Sequence, residues 1–336
     1  MSKLLEKEKL LPWLEQLAGE RVLIAPTRVE ELTLFAPVKD ATEIVLDYEN
    51  TALSPKEWLF PSTEVLFTIA RKDSTPELVE KTIAERYVIF GIRPCDAKGI
   101  AALDLPFLSE PADSLYAQRR AQTALIGMSC LKPAPQCFCA AMGSAPNDAS
   151  NVDIMLTEVE EGYLVEVVTE KGQGLLEGVE LKEVDIEPPP CPDTAAVPAE
   201  GITEVITRVF NDPFWARLAD RCIHCNICAY VCPTCYCFDI RDYTAKGNTE
   251  RIRTWESCQS PGFTRIAGGY DPRASKESRL RQRFYHKLCY FPEQFSGPLG
   301  CSGCGRCVVH CPVNIDIREV ITRAQEIGRE ASAASG

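Results

Sequence analysis

The chain has 336 residues, 45% of them hydrophobic and 25% charged, and a formal net charge of −12. Its length fits two domains and its apolar content builds a sizeable core, which excludes a disulfide-dependent miniprotein. The acidic balance argues against nucleic acid or anionic lipid as a partner, and no apolar run reaches the roughly 18–20 residues that span a bilayer, so membrane insertion is not expected.

Leu4, Leu11, Leu14 and Leu17 recur at helical spacing and predict an amphipathic helix over residues 3–18. The charged start, Met1 to Lys9, has no apolar core of a secretory signal, so a cytoplasmic location is expected. Strand-like runs follow at 21–25, 32–35, 43–46 and 64–69. A helix is expected over 76–85, capped by Ser74 or Thr75. The all-apolar runs Tyr87–Ile92 and Thr123–Met128 read as strands buried on both faces. Residues 152–158 and 163–169 alternate around Glu161-Gly162 and predict a hairpin with one wet face. The acidic stretch 153–187 reads first as a solvated outer face and second as a docking surface for a basic partner. Five prolines between Pro188 and Pro198 mark an extended linker. The expected layout is α+β: an α/β docking domain over 1–186, a Pro-rich linker over 187–200, and a helical ferredoxin-like domain over 201–336.

Seventeen cysteines are the most informative feature. In a reducing compartment such a number indicates metal binding rather than disulfides. Only three histidines are present, which leaves little material for histidine acid–base catalysis. Ten of the cysteines fall in two tight runs, six over Cys222–Cys237 and four over Cys301–Cys311. Cys222-x2-Cys225-x2-Cys228-x3-Cys232-Pro233 and Cys301-x2-Cys304-x2-Cys307-x3-Cys311-Pro312 each match the pattern that holds a [4Fe–4S] cluster. Three thiolates two residues apart curl around one cubane. The fourth, one turn on, points away and in two-cluster ferredoxins ligates the opposite cluster. One cluster is therefore assigned to Cys222, Cys225, Cys228 and Cys311, the other to Cys301, Cys304, Cys307 and Cys232. A pair of zinc sites is the rival, although zinc sites usually show C-x2-C pairs. The long insert between the runs fits a helical ferredoxin arrangement, with helices expected over 275–291 and 315–330.

Cys95 follows the buried run 87–92, and Cys130 follows 123–128. If those runs are neighbouring parallel strands, both thiols emerge at the edge where open α/β sheets bind ligands. With Cys137 and Cys139 just downstream, they form a candidate third [4Fe–4S] site, set against buried incidental thiols or zinc. Cys235, Cys237 and Cys258, with His286, are weighed as a further metal site, and packing against the clusters is the favoured reading. Arg279, Arg281, Arg283 and Lys287 form a basic patch, read first as a solvated helix face and second as charge that offsets the clusters or meets an acidic partner.

The segment Arg221 to Asp239 resembles the iron–sulfur beta subunit of soluble sulfhydrogenases and is equally similar to the iron–sulfur subunit of anaerobic sulfite reductases. The resemblance extends through Glu256-Ser-Cys-Gln259, Cys301-Ser-Gly-Cys-Gly-Arg-Cys307, Cys311-Pro-Val-Asn-Ile315, Arg93-Pro-Cys-Asp96 and Gln136-Cys-Phe-Cys-Ala-Ala-Met-Gly143. It implies an electron-transfer role with two or three [4Fe–4S] clusters. FAD and NAD(P) would be bound only by a partner subunit. The electrons would pass to a catalytic redox subunit of hydrogenase, sulfite reductase or heterodisulfide reductase type. A stand-alone reductase acting on a sulfur compound at a cluster is the alternative.

Overall fold

The computed structural model describes residues 2–72, 75–245 and 247–334. Its strands in chain order are β1 (Ser2–Glu6), β2 (Val22–Val29), β3 (Leu32–Pro37), β4 (Thr63–Lys72), β5 (Thr75–Glu80), β6 (Tyr87–Ile92), β7 (Thr123–Met128), β8 (Ile154–Val159), β9 (Gly162–Val167), β10 (Lys182–Val184), β11 (Phe238–Ala245) and β12 (Asn248–Trp255). The longer helices are α1 (Lys7–Glu20), α2 (Pro94–Leu108), α3 (Ser114–Gln122), α4 (Phe214–Arg221), α5 (Lys276–Tyr285) and α6 (Ile317–Ala334). The fold is thus a mixture of helix and sheet. Two compact units divide the chain: residues 1–59, 83–195 and 302–304 form the first, and 60–82, 196–301 and 305–336 the second. The chain passes from the first to the second at Ala195–Ala196, and residues 60–82 belong with the second unit and 302–304 with the first.

In the first unit, eight strands form one sheet in the order β10-β1-β9-β8-β7-β6-β2-β3. β2, β6, β7 and β8 run parallel at its centre. The two all-apolar runs are β6 and β7, side by side, with Ile92 opposite Gly127. Their residues 88–90 and 124–126 are essentially inaccessible because both faces are covered. Trp13, Leu14 and Leu17 of α1 pack on this sheet with Phe90, Ile126 and Ile154.

Several expectations are corrected. Residues 2–6 are not the first turn of a helix but a strand between β9 and β10. Adjacent Leu4 and Leu5 point to opposite faces of that strand, and both are buried. Residues 43–46 are not a strand: Asp40 caps a 3-10 turn at Ala41–Glu43, and Ile44 makes a single bridge to Thr27. The hairpin β8–β9 turns at Glu160-Glu161, and Ile154, Met155 and Leu156 are all buried in succession, so β8 has no wet face there; exposure falls at the turn and at Glu166 opposite Met155. Within the acidic stretch, Asp153 is buried and accepts from Leu125 N (2.8 Å) and Thr169 Oγ1 (2.5 Å).

The second unit contains a four-stranded antiparallel sheet, β11-β12-β4-β5, so it is not a purely helical ferredoxin-like domain. Residues 75–80 are the edge strand of this sheet rather than a helix, because pairing with β4 satisfies their backbone. The expected cap Ser74 lies outside the described residues. Inside the sheet, Arg253 and Glu64 form an ion pair at 2.5 Å, both nearly inaccessible. Elsewhere in this unit, Trp215 of α4 packs against Phe284 and Tyr285 of α5, and α6 carries buried Val320, Ile321 and Ala324. Residues 315 and 316 precede α6, and the expected helix 275–291 is α5 followed by a π-helical turn, His286–Tyr290, and a short helix, Phe291–Phe295.

Among the described residues, no helix is long and apolar enough to cross a membrane.

Candidate metal centres

The two cysteine runs follow the same backbone path. In the first, His224 and Asn226 take left-handed conformations (φ 55° and 65°), and in the second Gly303 and Gly305 do so at the matching positions (φ 69° and 73°). Each run therefore turns twice within five residues and then enters a single helical turn, Ile227–Tyr230 or Arg306–Val309. A non-glycine residue in this region costs roughly 1–2 kcal/mol, so the first run holds its loop under strain where the second uses glycine.

In the second unit, Cys222, Cys225, Cys228 and Cys311 line one cavity, with Cys307 also at its wall. Cys311 is close enough to Cys222 to act on it electrostatically. N–H groups are aimed at the sulfurs: His224 N at Cys222 Sγ (3.4 Å), Gln259 Nε2 at Cys228 Sγ (3.2 Å) and Ile315 N at Cys311 Sγ (3.1 Å). His224 Nε2 and Gln259 Oε1 are buried without a partner among the described residues. Cys232 is reached by Lys287 Nζ (3.2 Å) and Thr234 Oγ1 (3.2 Å). Thr234 also donates to Gly300 O (2.7 Å), which ties Cys232 to the residue before Cys301.

In the first unit, Cys95, Cys130, Cys137 and Cys139 line a single cavity with Arg93, Glu49, Asn50, Gly303 and Cys304. Cys95 enters from the first turn of α2, where Pro94 starts the helix and the N-terminal amides favour negative charge. Cys130 leaves the end of β7 and is pinned by Cys130 N to Pro146 O (2.7 Å). Phe138 N donates to Gly303 O (2.8 Å) and Asn50 Nδ2 to Cys304 O (3.2 Å). Burial pushes the Cys137 and Cys139 thiols up to about 11. Burial raises the Cys130 thiol and Arg93 opposes that rise; Arg93 is buried, stacks 4.2 Å from the Tyr48 ring, donates to Ser129 O (2.9 Å) and to Tyr48 O, and lines the same cavity.

Four thiols and a buried cation with an unpartnered Nε fit an anionic iron–sulfur cluster. No group of three or more His, Cys, Asp or Glu side chains among the described residues is arranged to hold a single ion.

The remaining thiols of the second unit group differently. Backbone pairing of Glu256 N with Cys237 O (2.9 Å) at the base of the β11–β12 hairpin brings Cys258 back to Cys237. The hydrogen bond between them lowers Cys237 to about 7 and drives Cys258 up. His286 is not with them: its Nε2 meets the Tyr236 hydroxyl (3.1 Å) and its ring packs on Tyr236 and Phe291. Burial holds His286 down to about 4. The unfolded chain takes up this proton near pH 6.5 and the folded chain only near 4. Stability is thus complete above about 6.5 and falls as pH drops toward 4, by about 3 kcal/mol at most. His286→Gln is expected to flatten the denaturation midpoint between pH 7 and 4.5, measured against the parent protein. The basic patch is corrected too: Arg279, Arg283 and Lys287 are buried, and Arg281 pairs with Glu277 (3.0 Å) while stacking on Phe210.

A family model described as a 4Fe-4S dicluster domain matches residues 221–315. Sulfhydrogenase 2 subunit beta of Pyrococcus furiosus is 31% identical over 315 residues, covering 90% of this chain and 91% of that protein. The chain belongs to the sulfhydrogenase beta-subunit family. It is accordingly an iron–sulfur protein with a dicluster domain at residues 221–315. No solved structure matches it. Gln259, Thr234 and the Arg93–Tyr48 pair were not assigned to the sites from sequence. Gln259 falls in the family-like Glu256–Gln259 stretch and Arg93 beside Cys95, and proximity in the chain was the available signal.

Proposed function

We propose that this chain relays electrons within a cytoplasmic multi-subunit oxidoreductase, linking a flavin- and NAD(P)-binding subunit to a catalytic redox subunit. FAD and NAD(P) reside in the partner. Two clusters are assigned as the motifs dictate, to Cys222, Cys225, Cys228 and Cys311 and to Cys301, Cys304, Cys307 and Cys232. A third is assigned to Cys95, Cys130, Cys137 and Cys139. Each [4Fe–4S] cluster supplies reversible one-electron transfer. The chain's own residues do the rest. The N–H groups of His224, Ile315 and Gln259 stabilise anionic sulfur, and Arg93 offsets charge in the first unit. Cys225 is exposed, which leaves the first-run site open to a redox partner.

The observation that carries this reading is the meeting of Cys311 with Cys222, Cys225 and Cys228 in one cavity, as cross-ligated dicluster proteins require. The relative's name, a beta subunit of a sulfhydrogenase, supports partners and a hydrogenase-type complex. Anaerobically purified protein is expected to hold about twelve irons per chain. A value of about eight would remove the third site and leave the relay. Reduction of a sulfur compound by the isolated chain would instead favour the stand-alone enzyme.

A further inference from the structure

The helical path continues past the end of α5 at Tyr285. It widens through the π turn His286–Tyr290 and resumes at Phe291–Phe295. Pro292 has no N–H to give the Leu288 carbonyl, and the Thr203 hydroxyl satisfies that carbonyl instead (2.8 Å). Such π turns recur where a helix must re-aim side chains at a functional site. Arg283, in the last turn of α5, and Lys287, within the π turn, are 3% and 4% exposed.

Among the described residues, neither has a carboxylate partner. Arg283 donates to Cys228 O (2.6 Å) and Cys235 Sγ (3.4 Å). Lys287 donates to Cys232 Sγ (3.2 Å), Thr234 Oγ1 (2.8 Å) and Gly300 O (2.9 Å). Their anionic surroundings are thiols, Cys228, Cys232 and Cys307 around Arg283 and Cys232, Cys235 and Cys301 around Lys287, while Arg283 and Lys287 also lie near enough to repel each other. A buried, uncompensated cation costs several kcal/mol. Two in one place, with sulfur in the position a carboxylate would normally take, make sense only if that sulfur is anionic.

We propose that Arg283 and Lys287 are positioning residues that act as fixed counter-charges to the cluster thiolates and raise the potential at which those clusters accept an electron. Their reach differs. Lys287 faces Cys232 and Cys301, both assigned to the second cluster. Arg283 donates to Cys228 O of the first and acts at longer range on Cys307 and Cys232 of the second. Removing the lysine charge therefore disfavours the reduced state of one cluster, and removing the arginine charge disfavours it in both. This inference rests on the cluster assignment above.

The test is a redox titration of the iron-loaded protein, followed by electron paramagnetic resonance. Lys287→Met is expected to lower the reduction equilibrium of one cluster about tenfold, about 59 mV for a one-electron couple. Lys287→Arg should restore it, and Arg283→Met should move both signals. Lys287→Met should also release iron to a chelator faster than the parent. If Lys287→Met fails to retain iron, Lys287→Gln removes the charge while keeping polar contact with Thr234 and Gly300, and carries the same expectation. Unchanged potentials in an iron-loaded variant would overturn the counter-charge role alone. A parent protein without iron would overturn the cluster assignment itself.

Discussion

Cys311→Ala is expected to empty the site built by the first cysteine run, although Cys311 belongs to the second. The variant should lose about four irons. The decisive comparison lies in double variants. If Cys311 and Cys222 serve one cluster, Cys222→Ala with Cys311→Ala loses no more than about four irons, because the second substitution finds the site already gone. Cys301→Ala with Cys311→Ala strikes two clusters and should lose about eight. Residues acting on one shared unit are non-additive, and residues acting on separate units add. The motif spacing alone admits the opposite outcome, in which each run keeps its own fourth cysteine. The structure favours crossing on two counts: Cys311 lines the cavity of Cys222, Cys225 and Cys228, and Thr234 ties Cys232 to Gly300 at the start of the second run. Iron analysis of the four proteins, with absorbance near the sulfur-to-iron charge-transfer band, decides between the two patterns.

How far the sequence speaks depends on which physical signal each feature leaves in it. The strands at 87–92 and 123–128 are legible because burial on both faces demands unbroken apolar runs, and Cys95 and Cys130 follow from their ends. The cysteine motifs are legible because thiolate spacing around a cubane leaves few alternatives. By contrast, Ser2–Glu6 is a strand only because β9 and β10 flank it, and no local periodicity encodes those neighbours. The hairpin 238–255 was hidden by its charges. Asp242 and Arg251 pair across it (2.8 Å) on exposed faces, so it lacks the apolar alternation that marks a half-buried strand. Arg283 and Lys287 look like a solvated face because a sequence shows charge without showing what opposes it. Their opposing groups are sulfurs, which composition counts as apolar. His224 and Asn226 were likewise unreadable as turn residues. Their left-handed conformations become apparent only beside Gly303 and Gly305 in the second run.

Gly303 carries the other large effect. Its φ of 69° already disfavours a side chain. A Cβ added there would lie 2.6 Å from the backbone of Phe138 and Cys139, and backbone does not yield as a flexible side chain does. Gly303→Ala must therefore push residues 302–304 away from 138–139 and break the bond from Phe138 N to Gly303 O. Cys304 sits on one side of that contact and Cys137 and Cys139 on the other, so under the assignment proposed above the second and third clusters would lose ligand geometry together. The expected result is a loss of about eight irons, with about four retained by the site of Cys222, Cys225, Cys228 and Cys311. Gly268→Ala separates strain from displacement. Gly268 has a φ of 87° but nothing within 4 Å of its would-be Cβ, so that change should cost roughly 1–2 kcal/mol and keep all the iron. If Gly303→Ala retained iron as Gly268→Ala does, the close packing of residues 302–304 on the Cys137–Cys139 loop would be irrelevant to cluster binding, and the third site would stand or fall on its four thiols alone.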